Sequence, residues 1–197
     1  MREVKGDGRM RWLFCVFAFC GVSVLSAGPL ENLLPRPRKL VSLGGIASQQ
    51  TPLRIVTDQI EGANELTADE AYRLVVTERE IVITAPGAKG ECAARTTLTQ
   101  LGKLADGVFP CCDISDWPSY PWRGFMHDCG RNFLDKAEIF KLLDLMALYK
   151  LNLFHWHLTD YYGWRLESKK YPMLQAPWAF RRHIGKYYTQ ADFKEVV

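Results

Sequence analysis

Between Trp122 and Glu167 the chain reads WRGFMHDCGRNFLDKAEIFKLLDLMALYKLNLFHWHLTDYYGWRLE. A short apolar run ends in Asp128, a loop carries Arg131, and an amphipathic helix leads to a second apolar run, Leu151 to Leu158, that ends in Asp160. Apolar residues at Ile139, Leu142, Leu143, Met146 and Tyr149 mark one helical face, with Lys136, Glu138, Lys141 and Asp144 largely off it. Asp135 and Glu138 stand in capping-box spacing before that face, and Lys150 and Asn152 suit the helix end. The run from Leu151 to Leu158 is nearly apolar throughout, as in a strand covered on both faces. A strand, a helix and a strand with this spacing make a right-handed parallel crossover. In such folds ligand sites gather at the carboxyl ends of the strands, where Asp128, Arg131 and Asp160 stand.

The residues before this unit set its context. Arg2, Lys5, Arg9 and Arg11 precede the apolar run WLFCVFAFCGVSVL, followed by Ser26-Ala27-Gly28. That order is the n-region, h-region and cleavage site of a secretory signal peptide over 1–27. The run is shorter than the ~20 residues a membrane helix needs, so the expected product is exported, periplasmic or secreted, with no membrane association after cleavage. The net charge is +3, and the four basic residues named account for it, so the chain has no electrostatic case for binding nucleic acid.

Pro35 and Pro37 make 28–37 an extended linker. Leu53, Ile55 and Val56 suggest a short strand, and YRLVVT and EIVITA, separated by Glu78-Arg79, a hairpin. Ala94, Leu98, Leu101 and Leu104 fall at helical spacing within Glu91–Leu104. Residues 38–110 are thus expected to form a small α+β domain, and Phe109 to Pro121 a junction. Beyond the central unit, Ala176 to Lys186 reads as loop, and Thr189 and Asp192 form a second capping box that opens a helix at Ala191. Cys92, Cys111, Cys112 and Cys129 have no zinc-ligand spacing. A disulfide from Cys92 to Cys111 or Cys112 suits an oxidising compartment, and buried free thiols are the simpler reading.

The chemistry-bearing residues each carry a plain alternative. Arg131 offers five fixed donors for hydroxyls or a carboxylate, or is a surface Arg paired with Asp128 or Asp160. His155 and His157 share a strand face and could be a metal pair or core histidines bonded to neighbouring strands. Asp160 could orient a ligand or serve as a turn residue. Trp164 could floor a pocket or pack beneath the loop.

The residues Arg123-Gly124, Asp128, Arg131-Asn132-Phe133, LMALYKLNLFHWHLTD from Leu145 to Asp160, Gly163-Trp164-Arg165, Lys170-Tyr171-Pro172 and Tyr188-Thr189 resemble the start of the catalytic barrel of glycoside hydrolase family 20, the β-N-acetylhexosaminidases. The resemblance is strong over 119–197 and weaker over 38–110. It implies a small α+β domain followed by a TIM (β/α)8 barrel, incomplete over 119–197. The implied partner is an N-acetylhexosamine-containing glycan, cleaved at its non-reducing end with retention and without metal or other cofactor. In that chemistry the substrate's own acetamido oxygen attacks the anomeric carbon, an Asp orients the acetamido group, and an adjacent Glu protonates the leaving oxygen. By the same resemblance Arg131 and Asp160 bind the terminal sugar, while Asp128, His157 and Trp164 support the site.

Two positions depart from the family pattern. Tyr161-Tyr162 follows Asp160 where a second acid is usual, and Asn132 replaces a His. A barrel needs about 250 residues, far more than 119–197 contains, and the family's Asp-Glu pair belongs after a later strand. Asp192 and Glu195 do not form that pair. The expectation is therefore an inactive, poorly folded fragment with no catalytic residue of its own. Two rival readings are a metal-dependent barrel hydrolase using His155 and His157, and a non-catalytic sugar-binding module.

Overall fold

The computed structural model describes residues 28–197, so the export signal expected over 1–27 lies outside the described residues. Among the described residues, no helix is long and apolar enough to cross a membrane. Five strands form the first sheet: β1 (Lys39–Ala47), β2 (Leu53–Thr57), β3 (Tyr72–Val76), β4 (Ile81–Ala85) and β5 (Phe109–Asp116). Their order is β1-β5-β3-β4-β2, and only the β2–β4 pair is parallel. The β-branched runs of β3 and β4 pair antiparallel as the sequence suggests, with Val76 opposite Ile81.

Alternation decides which face is covered. Tyr72, Leu74, Val76, Ile81, Ile83, Cys112 and Ile114 point to one side and are buried under helix α1 (Ala88–Leu104), whereas Arg73 points away and pairs with Asp113. Burying a Leu or Ile side chain of this kind contributes about 2 kcal/mol. The helix seats on a stripe of Gly90, Ala94, Thr97 and Leu101. Leu98 packs at the edge of this core, and Leu104 is exposed. Gly90 permits the close approach, because a Cβ there would lie 2.2 Å from the Ala71 carbonyl oxygen.

Two sequence expectations are corrected here, and one strand is added. Strand β1 has no regular alternation because Gly44 and Gly45, both at positive φ, shift its register against β5 between Ser42 and Ile46. Residues 109–116, read as junction, form β5 between β1 and β3, since Cys112 and Ile114 alternate into the core across Asp113. The Pro-rich stretch 28–37 is not a free linker. Leu33 is buried in the sheet core, and the Gln100 amide bonds both backbone groups of Leu34.

The central unit follows. Strand β6 (Gly124–Asp128), helix α2 (Lys136–Leu148) and strand β7 (Leu153–His157) make a crossover with β6 and β7 parallel, Asp128 opposite His157. A short hairpin of β8 (Thr159–Asp160) and β9 (Gly163–Trp164) comes next, then loop, then helix α3 (Gln190–Val196). Cys129, Ile139 and Tyr188 are buried, with Phe133, Leu143, Phe154 and Trp156 packed around them. Two expectations fail in this unit. Strand β7 is not covered on both faces, because Leu153 and His155 are exposed. Asp135 caps α2 without a side-chain hydrogen bond, and its carboxylate lies 3.5 Å from the Lys186 ammonium. The second capping box, at Thr189 and Asp192, is present on both arms.

Polar side chains join the two parts. The Lys150 ammonium donates to the Tyr72 hydroxyl at 2.8 Å and to Asp116 at 3.1 Å. Arg123 pairs with Glu70 and donates to the Lys150 and Tyr120 carbonyls.

Candidate functional site

Strands β6 and β7 end side by side, so their polar exits converge. The turn after β6 is pinned from both strands. The backbone N–H of Cys129 donates to the His157 carbonyl at 2.9 Å, and that of Asn132 to the Asp128 carbonyl at 3.0 Å. Gly130 sits where a Cβ would meet the Asp160 Cβ at 2.8 Å and the Asp128 Oδ1 at 3.1 Å. The turn can close over Asp160 only because that position lacks a side chain.

This packing places the Arg131 guanidinium between two carboxylates. It pairs with Asp128 and, at 3.1 Å, with the Asp160 Oδ2, while the Arg131 N–H donates to the Asp128 Oδ1 at 2.9 Å. His157 Nε2 lies 3.2 Å from the Asp160 Oδ2. Partial burial pushes the Asp128 carboxyl up, but the Arg131 N–H, its guanidinium and nearby His157 outweigh that and hold it below the ordinary value. The Arg131 side chain remains 53% exposed. Its charge is thus held in a fixed orientation by two carboxylates while donor capacity stays open to solvent, an arrangement suited to gripping hydroxyl oxygens.

Arg131, Asp128, Asp160 and His157 therefore come together. Trp164 is exposed opposite Thr159 on β9 and takes no part in this ion-pair network. Of the proposed metal pair, the ring of His155 lies 5.7 Å from that of His157 and is exposed. Ligand atoms of Asp128, His157 and Asp160 do lie within 4.8 Å of one another. The Arg131 cation already occupies the field of both carboxylates, and a metal ion would have to compete with it. The groove of about 850 Å³ between α1 and α2 shares no residue with this cluster. The adjacent pair Asp69-Glu70 is committed elsewhere, to Lys89 and Arg123 respectively.

One organising residue, named in the Gly163-Trp164-Arg165 match, has no role assigned to it from the sequence. Arg165 is fully buried, with no carboxylate partner. Its guanidinium donates to the carbonyls of Cys129 and Gly130 in the site turn, and to those of Tyr162, Arg182, His183 and Lys186 in the following loop. Phe180 and Phe133 lie against it, with centroids 5.0 and 5.9 Å from the guanidinium carbon. Burial lowers its pKa, although Cys129 and Tyr188 oppose the shift. Because its partners are backbone carbonyls, no residue type in the sequence announces them. Gly163 makes room, since a Cβ there would meet the guanidinium at 2.7 Å.

Behind the turn, the Trp156 indole N–H donates to the Cys129 sulfur at 3.2 Å. The Tyr188 hydroxyl donates to the Leu134 carbonyl, which leaves the Cys129 thiol, at 3.1 Å, to donate to the Tyr188 oxygen. Burial, then Cys129, pushes the Tyr188 pKa up. All four cysteines among the described residues are free, three of them buried and Cys92 exposed.

Comparisons with known proteins agree in direction. Residues 120–197 match the family model described as glycosyl hydrolase family 20, catalytic domain, and residues 44–117 match that family's domain 2. A beta-hexosaminidase of Akkermansia muciniphila is 40% identical over 139 residues, covering 65% of this chain and 28% of that protein. A beta-N-acetylhexosaminidase of Cellulomonas fimi is 36% identical over 182 residues, covering 89% of this chain and 36% of that protein. The crystal structure of an exo-β-N-acetylglucosaminidase from Vibrio harveyi in complex with N-acetylglucosamine superposes with a TM-score of 0.71 at 28% identity, covering 87% of this chain and 34% of that one. The chain spans about a third of the length of the curated relatives it matches.

Proposed function

The chain belongs to glycoside hydrolase family 20, and from that premise we propose that its residues serve the hydrolysis of terminal, non-reducing N-acetyl-β-hexosamines. The carrying observation is Arg131, held between Asp128 and Asp160 at the carboxyl ends of two parallel strands with one side open to solvent. That open side is suited to the hydroxyls of a terminal sugar. Asp160 orients the guanidinium and supplies an acceptor; Asp128 and His157 hold the two in place. The crossover of β6, α2 and β7 is then the opening of a TIM (β/α)8 barrel, and the five-stranded sheet is the small domain that precedes it.

In this reading hydrolysis proceeds with retention. The substrate's acetamido oxygen attacks the anomeric carbon and closes an oxazolinium-like ring while the leaving oxygen takes a proton. Water then opens the ring on the same face. These steps require an acetamido-orienting Asp and an acidic Glu, and none of the acids placed at β6 and β7 is free for either role. Asp128 and Asp160 are both spent on Arg131. A polypeptide of these 197 residues is thus proposed to grip the sugar without cleaving it. Export, by the signal read in 1–27, brings the site to glycans outside the cytoplasm.

The test is direct. Purified polypeptide given para-nitrophenyl N-acetyl-β-glucosaminide should release no nitrophenol above a blank. Release that scales with its concentration would sink the division of labour proposed here.

A further inference from the structure

Charge is unevenly spread around this site. Between Tyr161 and Tyr188 the chain carries six Lys or Arg residues and one acid, Glu167, although the net charge of the whole is only +3. The Glu167 carboxylate accepts the Gln190 N–H at 3.0 Å. Of the six cations only Arg165 is buried, leaving Lys169, Lys170, Arg181, Arg182 and Lys186 exposed. Arg181 lies over the Tyr161 ring at 3.9 Å, and Arg182 over the Tyr162 ring at 5.1 Å. Neither has an ion pair among the described residues. Stacking on an aromatic ring restrains a guanidinium without neutralising it, and its N–H edge stays available for anionic oxygens.

These cations stand beside the sugar-gripping turn. Arg165 gathers the Gly130 carbonyl, next to Arg131, at 2.9 Å and the Arg182 carbonyl at 2.8 Å on one guanidinium nitrogen. The Arg181 N–H donates to the Tyr162 carbonyl at 3.0 Å. Tyr161 directly follows Asp160, and its N–H donates to the Asp160 Oδ1 at 2.6 Å. The rim and the Arg131 cluster are therefore fastened together by one buried side chain and one short hairpin.

We propose that Tyr161, Tyr162, Arg181 and Arg182 form a cationic, aromatic rim that selects acidic oligosaccharides, those bearing a sulfate ester or a carboxylate beside the terminal N-acetylhexosamine. The proposal rests on the sugar-gripping role given to Arg131. The two rings restrain the guanidiniums that lie over them, and each guanidinium edge offers bidentate contacts that fit a sulfate or a carboxylate.

Isothermal titration of the full chain with three probes tests this. The probes are N-acetylglucosaminyl-β-galactose, the same disaccharide sulfated on galactose, and N-acetylglucosaminyl-β-glucuronic acid. At low salt one or both acidic probes should bind about tenfold tighter than the neutral one, and added salt should erode the difference. Which acidic probe gains identifies the anion. The preference should vanish in R181Q/R182Q, with the neutral probe still bound, and shrink in R181K/R182K, which keeps the charge but not the bidentate fork. Equal affinity for all three probes overturns the rim while leaving the Arg131 reading intact. So does a preference that survives in R181Q/R182Q. Binding of none of them overturns both.

Discussion

Two arginines on either side of one turn show how differently a cation can be used. Arg131 is half exposed and faces two carboxylates, whereas Arg165 is buried and faces only carbonyl oxygens. Removing Arg165 would leave carbonyls from both the turn and the loop short of donors. Arg165→Met should therefore destabilise the chain by about 3 kcal/mol in urea denaturation. Arg165→Lys should recover little of that, because one ammonium cannot reproduce a planar fork that serves six carbonyls. Full recovery by Lys would contradict the geometry. Arg131 was legible beforehand because its spacing from Asp128 and its place at a strand exit could be read as residue types. Arg165 was not, because carbonyl partners carry no sequence signature and only the fold brings Cys129, Gly130 and Lys186 to one guanidinium.

The helices make the same point at the scale of elements. The Thr189 hydroxyl accepts the Asp192 N–H at 3.0 Å, and the Asp192 carboxylate accepts the Thr189 N–H at 3.0 Å and pairs with Lys136 at 2.7 Å. Thr189→Ala should cost about 1 kcal/mol in thermal or urea unfolding. Asp135→Ala, at a site with the same apparent signature but no side-chain bond, should cost only a few tenths of that. Equal costs would mean that Asp135 caps α2 after all. The pairing with Lys136, then the Thr189 bonds, lowers the Asp192 pKa to about 2. A carboxyl depressed in the folded state stabilises above its unfolded value of 3.8, and that contribution is lost as the pH falls toward 2. Asp192→Asn should accordingly flatten the acid limb of stability against pH between those limits. Hairpin β3–β4, helix α1 and the Thr189 cap follow from local patterning and were legible. Strand β1 was hidden by a two-glycine bulge, and β5 by its Pro and Asp residues. Their pairing is long-range, and local propensity does not report it.

For the molecule as a whole, the sheet domain and the β6–α2–β7 unit meet through a buried ion pair. Lys150 holds a positive φ of 58° while its ammonium reaches Asp116 and the Tyr72 hydroxyl. Burial lowers the Lys150 pKa, and Asp116 partly offsets it. Lys150→Met would strand a buried carboxylate and should cost about 3 kcal/mol. It should also raise hydrogen exchange at β6 and β7 more than at β3, because the sheet retains its own core. Uniform loss of protection would mean that the two parts do not unfold separately. At the other end of that crossover Arg131 is proposed to grip a terminal sugar. The decisive measurement is titration of the isotopically labelled 197-residue chain with N-acetylglucosamine, followed by NMR at the Asp128–Arg131 and Asp160–Tyr162 amides. Saturable shifts are expected at both segments, lost in Arg131→Ala while the β3 and β4 signals stay in place. No saturable shifts in the unsubstituted chain, or the same shifts in Arg131→Ala, would contradict it.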